Sequence, residues 1–364
     1  MMNIKEISLL NFRNYKTLDI ELSSGINVLW GHNAQGKTNV LEAVYMCGIG
    51  RSHRTHNVKE LINIGSEAAR VKVNYENAAA NNDEINVLLQ KDGKKSIHIN
   101  GVMIKKIGEL FGSLMTVMFS PEDLWLVKSG PQSRRKFMDM ELCQLSPVYY
   151  YDLKQYYKAL NQRNNLLKTI KSNKGNREML FMWDEQLLSH GLKIMKKRDE
   201  FIQKIDILSE EVYGKITGIK GTAEKLSIKY KSNVTEENFA KKLESSIERD
   251  IILGSSAVGI HKDDIGLYVN GNDLKVYGSQ GQQRTAAVAL KLSEVEIIKE
   301  IKNTAPVFLL DDVLSELDEN RQKWLFTCVK DLQAVITCAE RHKVISKVAD
   351  RVFRVSDGLV VSEG

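Results

Sequence analysis

The residues Gly31-His32-Asn33-Ala34-Gln35-Gly36-Lys37-Thr38 constrain this chain more than any others in it. They fit GxxxxGK[ST] in full, a pattern that needs a strand before it and a helix after it. Both are predicted: Ile26 to Trp30 is an apolar run entering Gly31, and Thr38 to Met46 has helical spacing. In such a turn the glycines let successive N–H groups point inward at phosphate oxygens, and the helix adds its positive N-terminal end. Lys37 then lies against the β and γ phosphates, the Thr38 hydroxyl holds Mg²⁺, and Asn39 continues the site into the helix. The turn predicts ATP and Mg²⁺ as the bound groups.

A second element is the apolar run Val307-Phe308-Leu309-Leu310 ending in Asp311-Asp312. An unpaired buried carboxylate is costly, so acids closing an apolar strand need a cation or a rim position. Beside a phosphate loop the cation is Mg²⁺. Asp311 is assigned to the metal, through water, and Asp312 to polarising the attacking water. A strand that merely ends in a turn, with Asp as a helix cap, is the alternative.

A third element, Tyr277-Gly278-Ser279-Gln280-Gly281-Gln282-Gln283-Arg284, places a hydroxyl and backbone N–H groups at the start of a long predicted helix from Gly281 to about Lys302. One nucleotide does not need two phosphate grips from one chain. Two identical chains arranged head to tail, each offering its Ser279 turn to the other's phosphate loop, would use both. An ordinary capped helix is the alternative.

Between Ala69 and Val102, alternating segments with turn signals at Asn81-Asn82, Lys91-Asp92-Gly93 and Asn100-Gly101 predict an antiparallel sheet added to the nucleotide fold. Composition changes at Gly130-Pro131. Helical spacing from Arg134 to Lys171, broken near Ser146-Pro147, and from Glu178 to Gly214 predicts a helical hairpin. The expected organisation is α/β: a nucleotide-binding head split in sequence, residues 1–130 and 221–364, around an inserted helical arm, residues 131–220. The net charge is +6, and the arm carries all of it, with 17 Lys and Arg against 11 Asp and Glu between Pro131 and Lys220. Charge concentrated on one element is the footprint of a polyanion site, although helices are also Lys-rich for solubility. Cys47, Cys143, Cys328 and Cys338 show no CxxC spacing and read as buried apolar residues in a reducing compartment. The chain opens on a strand-like alternation and has no apolar run long enough for a membrane span, so a cytoplasmic location without a membrane partner is expected.

In order along the chain, the phosphate loop, the serine-glycine turn, the Asp-Asp strand and Ser315-Glu316-Leu317-Asp318 resemble the ABC ATPase superfamily. More narrowly, the chain resembles the RecF family, whose heads are SMC-like. That likeness is carried by Asn11-Phe12-Arg13-Asn14-Tyr15, Gly31 to Asn39, Arg51-Ser52-His53-Arg54-Thr55, Phe119-Ser120-Pro121-Glu122-Asp123, Arg134-Arg135, Ser279 to Thr285 and Asp311 to Asp318. It implies an ABC-type P-loop ATPase head with an added sheet and an inserted arm. It also implies that Ser279, Gln280, Gly281 and Gln282 meet the opposite subunit's nucleotide, that Asp318 touches that subunit, and that Arg54 reaches the phosphates. For Arg51, His53, Arg54 and His56 a solvated loop is the alternative. Thr337 takes the place of a switch residue that is often His in transporters. Two departures stand out. Gly259-Ile260-His261-Lys262-Asp263-Asp264 occupies the place of Gly-Pro-His-Arg-Asp-Asp, and no Q-loop glutamine is assigned after the strand ending at Phe119.

The resemblance further implies an ATP-dependent homodimer that is a weak, DNA-dependent ATPase of recombinational repair and replication. Its partners would be duplex and gapped DNA, with Lys193, Lys196 and Lys197 as candidate contacts, and recombination mediator proteins of the RecO and RecR kind. An ATPase subunit of a membrane transporter is the rival reading. It calls for an LSGGQ signature and a shorter helical insertion, neither of which this sequence has. A structural SMC-type protein would need hundreds of heptad residues where the arm has fewer than a hundred.

Overall fold

The computed structural model describes residues 1–218, 224–340 and 348–363. They form two compact units, residues 1–125 with 287–364, and residues 126–286.

The first unit contains two six-stranded sheets. One is antiparallel and runs in the order Tyr15–Glu21, Asn3–Phe12, Ala68–Glu76, Asn82–Gln90, Lys95–Ile99, Val102–Met103. Its strands alternate buried and exposed residues, as Ala68–Glu76 does, because one face packs inward and the other meets solvent. The second sheet runs Leu359–Glu363, Arg351–Ser356, Ile26–Trp30, Ala334–Cys338, Val307–Asp311, Thr116–Phe119, and every pair is parallel except the first. Val307–Asp311 and Ala334–Cys338 are buried at every position, as strands covered on both faces must be. The helix Lys37–Ile49 packs between the sheets. Its Val40, Leu41, Val44 and Cys47 share one core with Ile7, Phe12, Val71 and Val73 on one side and Leu29, Leu309 and Val335 on the other.

The second unit is built on the helices Pro131–Leu145, Pro147–Lys171 and Leu180–Gly218 and a small antiparallel sheet of Leu226–Lys231, Asp264–Val269 and Asn272–Asp273. The expected break at Ser146-Pro147 is present. A residue before proline is pushed toward extended backbone, and Ser146 (φ −147, ψ 108) then caps the next helix, its Oγ accepting from Tyr149 N at 3.2 Å.

This unit is larger than the 131–220 arm expected from sequence. The 220/221 boundary lies outside the described residues, but strands Leu226–Lys231 and Asp264–Val269, assigned on sequence to the head, belong with the helices. Ile228 N of the first strand donates to Asp206 of the helix Leu180–Gly218 at 2.6 Å, and ion pairs secure the second strand and the segment leading to it. Arg198 reaches Asp263 (2.8 Å), Arg134 grips both oxygens of Asp264 (2.7 and 2.7 Å), and Arg163 reaches Asp250 (2.6 Å).

Candidate functional site

In the first unit, strand Ile26–Trp30 lies between two parallel neighbours and delivers the chain to Gly31 at the carboxyl edge of the sheet. Gly36 closes the loop in the left-handed region, at φ 111. A Cβ there would stand 2.5 Å from the Asn14 amide and 2.9 Å from the Tyr15 hydroxyl, so only glycine fits. No side-chain cap occupies the start of the following helix, whose first N–H groups are therefore offered to an anion. Lys37 Nζ donates to the carbonyls of Gly31 (2.6 Å) and His32 (2.8 Å), which holds the charge inside the loop that runs on through Asn33, Ala34 and Gln35.

Strand Val307–Asp311 brings the acids to the same edge. Asp311 is 7% exposed, and its Oδ1 accepts from the Thr38 hydroxyl at 2.7 Å and from the Thr337 hydroxyl at 2.8 Å. Thr337, opposite Asp311 in the parallel register, also accepts from Asp312 N at 3.0 Å. It thus fixes the turn at which Asp312 adopts φ 49, a conformation Asp tolerates better than most residues. Burial raises the Asp312 carboxyl above its ordinary value against the pull of Lys37, and the neighbouring Asp311 adds to the rise. Burial likewise lowers the Lys37 ammonium, opposed by Asp312, Cys338 and Asp311. A hydroxyl and a carboxylate converging within hydrogen-bond reach form a hard oxygen donor set. That chemistry fits Mg²⁺ and not a soft metal.

The hairpin turn at Asn14 and Tyr15 braces the loop. Asn14 Nδ2 donates to the Gln35 carbonyl at 2.9 Å, Tyr15 OH to the Gly36 carbonyl at 3.1 Å, and Asp357 N to the Gln35 side chain. Asn39 and Arg54 join this edge, with Arg54 Nη1 donating to Asn39 Oδ1 at 3.1 Å. A purely solvated loop does not describe residues 51–55, because Ser52 is buried and bonded to Glu42 at 2.5 Å. Sequence reasoning gave Asn14, Tyr15 and Glu42 no role. The signals were a polar turn between two strands and one acid inside the apolar stretch Val40 to Cys47.

Asp318, also in the first unit, is exposed and caps the helix Glu319–Val329 by accepting from Arg321 N at 3.0 Å. Ser279 and its neighbours lie in the second unit. There Ser279 N donates to the Gln282 side chain (2.9 Å) and Gln282 N to the Ser279 hydroxyl (3.2 Å), a reciprocal cap on the helix Gln280–Lys302. Gln280 and Gly281 form its first turn. Lys193, Lys196 and Lys197 are exposed on Leu180–Gly218, with Lys193 3.9 Å from Asp152 and Lys197 2.7 Å from Glu200. In the departed segment, Arg198 holds the Ile260 carbonyl at 2.7 Å and Arg135 the Asp263 carbonyl at 2.7 Å, so arginines from the helices secure that turn.

The chain matches the family model described as the RecF/RecN/SMC N terminal domain over residues 3–359. It is 44% identical to the DNA replication and repair protein RecF of Lachnoclostridium phytofermentans, over 99% of each chain. Among solved structures, the recombination mediator protein RecF–ATP in the RecFOR pathway superimposes with a TM-score of 0.92 at 38% identity, covering 100% of this chain and 98% of that one. The Smc head domain from Pyrococcus furiosus, at TM-score 0.60, 18% identity and coverage of 100% and 97%, shares the fold. The SMC-like head with its added sheet and inserted helices, the nucleotide-loop motif and these full-length matches agree: the chain belongs to the RecF family of DNA replication and repair proteins.

Proposed function

We propose that this protein binds ATP with Mg²⁺ in its first unit, that ATP joins two copies, and that the pair holds duplex or gapped DNA until slow hydrolysis releases it. The observation carrying the reading is the 2.7 Å hydrogen bond between Thr38 and Asp311, which unites two motifs 273 residues apart. Thr38 and Asp311 would hold Mg²⁺; when bound it neutralises charge on the phosphate oxygens. Lys37 would contact the β and γ phosphates. Asp312 would orient the attacking water and take its proton, the γ-phosphate passing to that water and ADP leaving. The second grip, Ser279 with Gln282, would complete the site of another copy, with Asp318 at the joint. RecO- and RecR-like proteins are proposed partners, since a relative with 38% identity is a mediator of the RecFOR pathway. The transporter alternative has no such support.

Light scattering with and without ATP, and then with duplex or gapped DNA, tests the dimer and its partner. Mixing Lys37→Ala with Ser279→Arg tests the shared site. Each variant alone should be inactive. In random mixed dimers one of two sites is intact, so activity should return to roughly a quarter of wild type if sites act independently. A Ser279→Arg protein that hydrolyses ATP normally as a monomer would end the composite-site reading.

A further inference from the structure

Glu42 is wholly buried in the helix that follows the phosphate loop, and nothing in the hydrolysis scheme uses it. A buried carboxylate persists only when paired. Arg13 supplies the pair, bidentate, from Nε at 2.8 Å and Nη2 at 2.6 Å, and the Ser52 hydroxyl adds a third bond. Burial alone would raise the Glu42 carboxyl, but the bonds from Arg13 and Ser52 outweigh it and hold the group below its ordinary value.

Ser52 passes the constraint on. Its oxygen accepts from the backbone of Arg54 (3.0 Å) and Thr55 (3.1 Å), which fixes the loop carrying Arg54. The Arg54 guanidinium lies on Asn39, next in sequence to Thr38. Asn39 in turn donates to Asn14 (2.8 Å), which holds the Gln35 carbonyl of the phosphate loop. The two arginines near Glu42 differ in kind. Arg13 is sealed, with 17% of its side chain exposed, whereas Arg54 keeps 43% exposed and stands 3.8 Å from Glu42, beyond hydrogen-bond range. Arg54 is held close but is not consumed.

We infer that Glu42 is a positioning residue of the nucleotide site: through Ser52 it sets Arg54 at the Thr38 end of the phosphate loop, where the guanidinium meets the third phosphate and lets the protein tell ATP from ADP. The inference rests on the proposed nucleotide site. Arg13 is needed because it neutralises Glu42, which leaves the Arg54 charge for the ligand.

Calorimetric titration of the full chain with ATP and with ADP tests this. Arg54→Ala should weaken ATP binding about tenfold while ADP changes by no more than about twofold, the size expected for a charge-assisted hydrogen bond. Ser52→Ala, which leaves the Arg13–Glu42 pair in place, and Glu42→Gln should each show the same selective loss. Ser52→Ala combined with Arg54→Ala should be no worse than Arg54→Ala alone. Ser52→Thr, which restores the hydroxyl, should recover the preference for ATP. A merely structural Glu42 would lower ATP and ADP affinity together and add to the Arg54 effect, and either result overturns the inference. If Lys37→Ala abolishes nucleotide binding while Ser52→Ala keeps the wild-type ATP-to-ADP ratio, the site stands and the positioning role falls. If Lys37→Ala binds ATP normally, the site itself is misassigned.

Discussion

Replacing Arg198 with methionine should strip the second unit of its central tie. The side chain is fully buried and reaches Asp139 (2.9 and 3.1 Å), Asp263 (2.8 Å) and the Ile260 carbonyl (2.7 Å), joining two helices to the turn before strand Asp264–Val269. Methionine fills much of the volume but removes the charge. Asp263, itself wholly buried, would keep the Tyr230 hydroxyl and Asn233 N (2.8 Å) without a cation. Removing one partner of such a pair costs about 3–5 kcal/mol, because the other charge stays buried and uncompensated. For a unit of this size each kcal/mol moves the melting temperature by roughly 2–4 °C, so a drop of about 10 °C is expected in calorimetry of the full chain. Adding Asp263→Asn should recover part of the loss, since an amide tolerates the site better than a lone carboxylate. Melting within about 2 °C of wild type, or no recovery in the double variant, would refute the reasoning.

Lys37→Ala should weaken ATP binding about tenfold or more through loss of a charged donor, and Asp312→Asn should bind ATP and lose turnover; normal phosphate release by Asp312→Asn would remove its assigned role. Neutralising Lys193, Lys196 and Lys197 together should lower DNA affinity and flatten its salt dependence by about 0.9 in log–log slope for each phosphate left without its lysine, and an unchanged slope returns them to the solvated surface. His261 offers a pH test. Its Nε2–H donates to the Ser256 carbonyl (3.1 Å), so Nδ1 accepts from Tyr156 OH (2.9 Å), and burial drops its pKa from 6.5 to about 4. Between those values the unfolded chain binds more protons. The His261 contribution is therefore full above about pH 6.5 and is lost as pH falls toward 4, by at most about 3 kcal/mol. Denaturant titrations should show wild type losing its stability difference from His261→Asn over that window, and a difference that grows on acidification contradicts the assignment.

What sequence disclosed, and what it hid, follows from how each feature is encoded. The phosphate loop was legible because its demands are local: a left-handed Gly36, a lysine and a hydroxyl at the head of a helix, and an apolar strand before them. The Asp311 strand was legible because four buried apolar residues ending in two acids have few other uses. Glu42, Arg13 and Ser52 form a unit only in three dimensions, and an ion pair between distant residues leaves no periodic trace. The same blindness moved the domain boundary. Strands Leu226–Lys231 and Asp264–Val269 look like further head strands by alternation alone, and it is Asp206, which holds Ile228 N, with Arg134 and Arg198, which hold Asp264 and Asp263, that reveal their anchorage on the helices. It also distorted the charge count. Arg134, Arg163 and Arg198 contribute to the excess of the 131–220 segment, yet all three are buried against Asp264, Asp184 with Asp250, and Asp139 with Asp263. A polyanion cannot reach them, so the DNA attraction proposed for that segment falls to its exposed cations, Lys193, Lys196 and Lys197 among them. The salt slope therefore reads those three exposed lysines: Lys197 pairs with the exposed Glu200 at 2.7 Å, a contact in solvent that yields readily to a phosphate, and Lys193 stands 3.9 Å from Asp152.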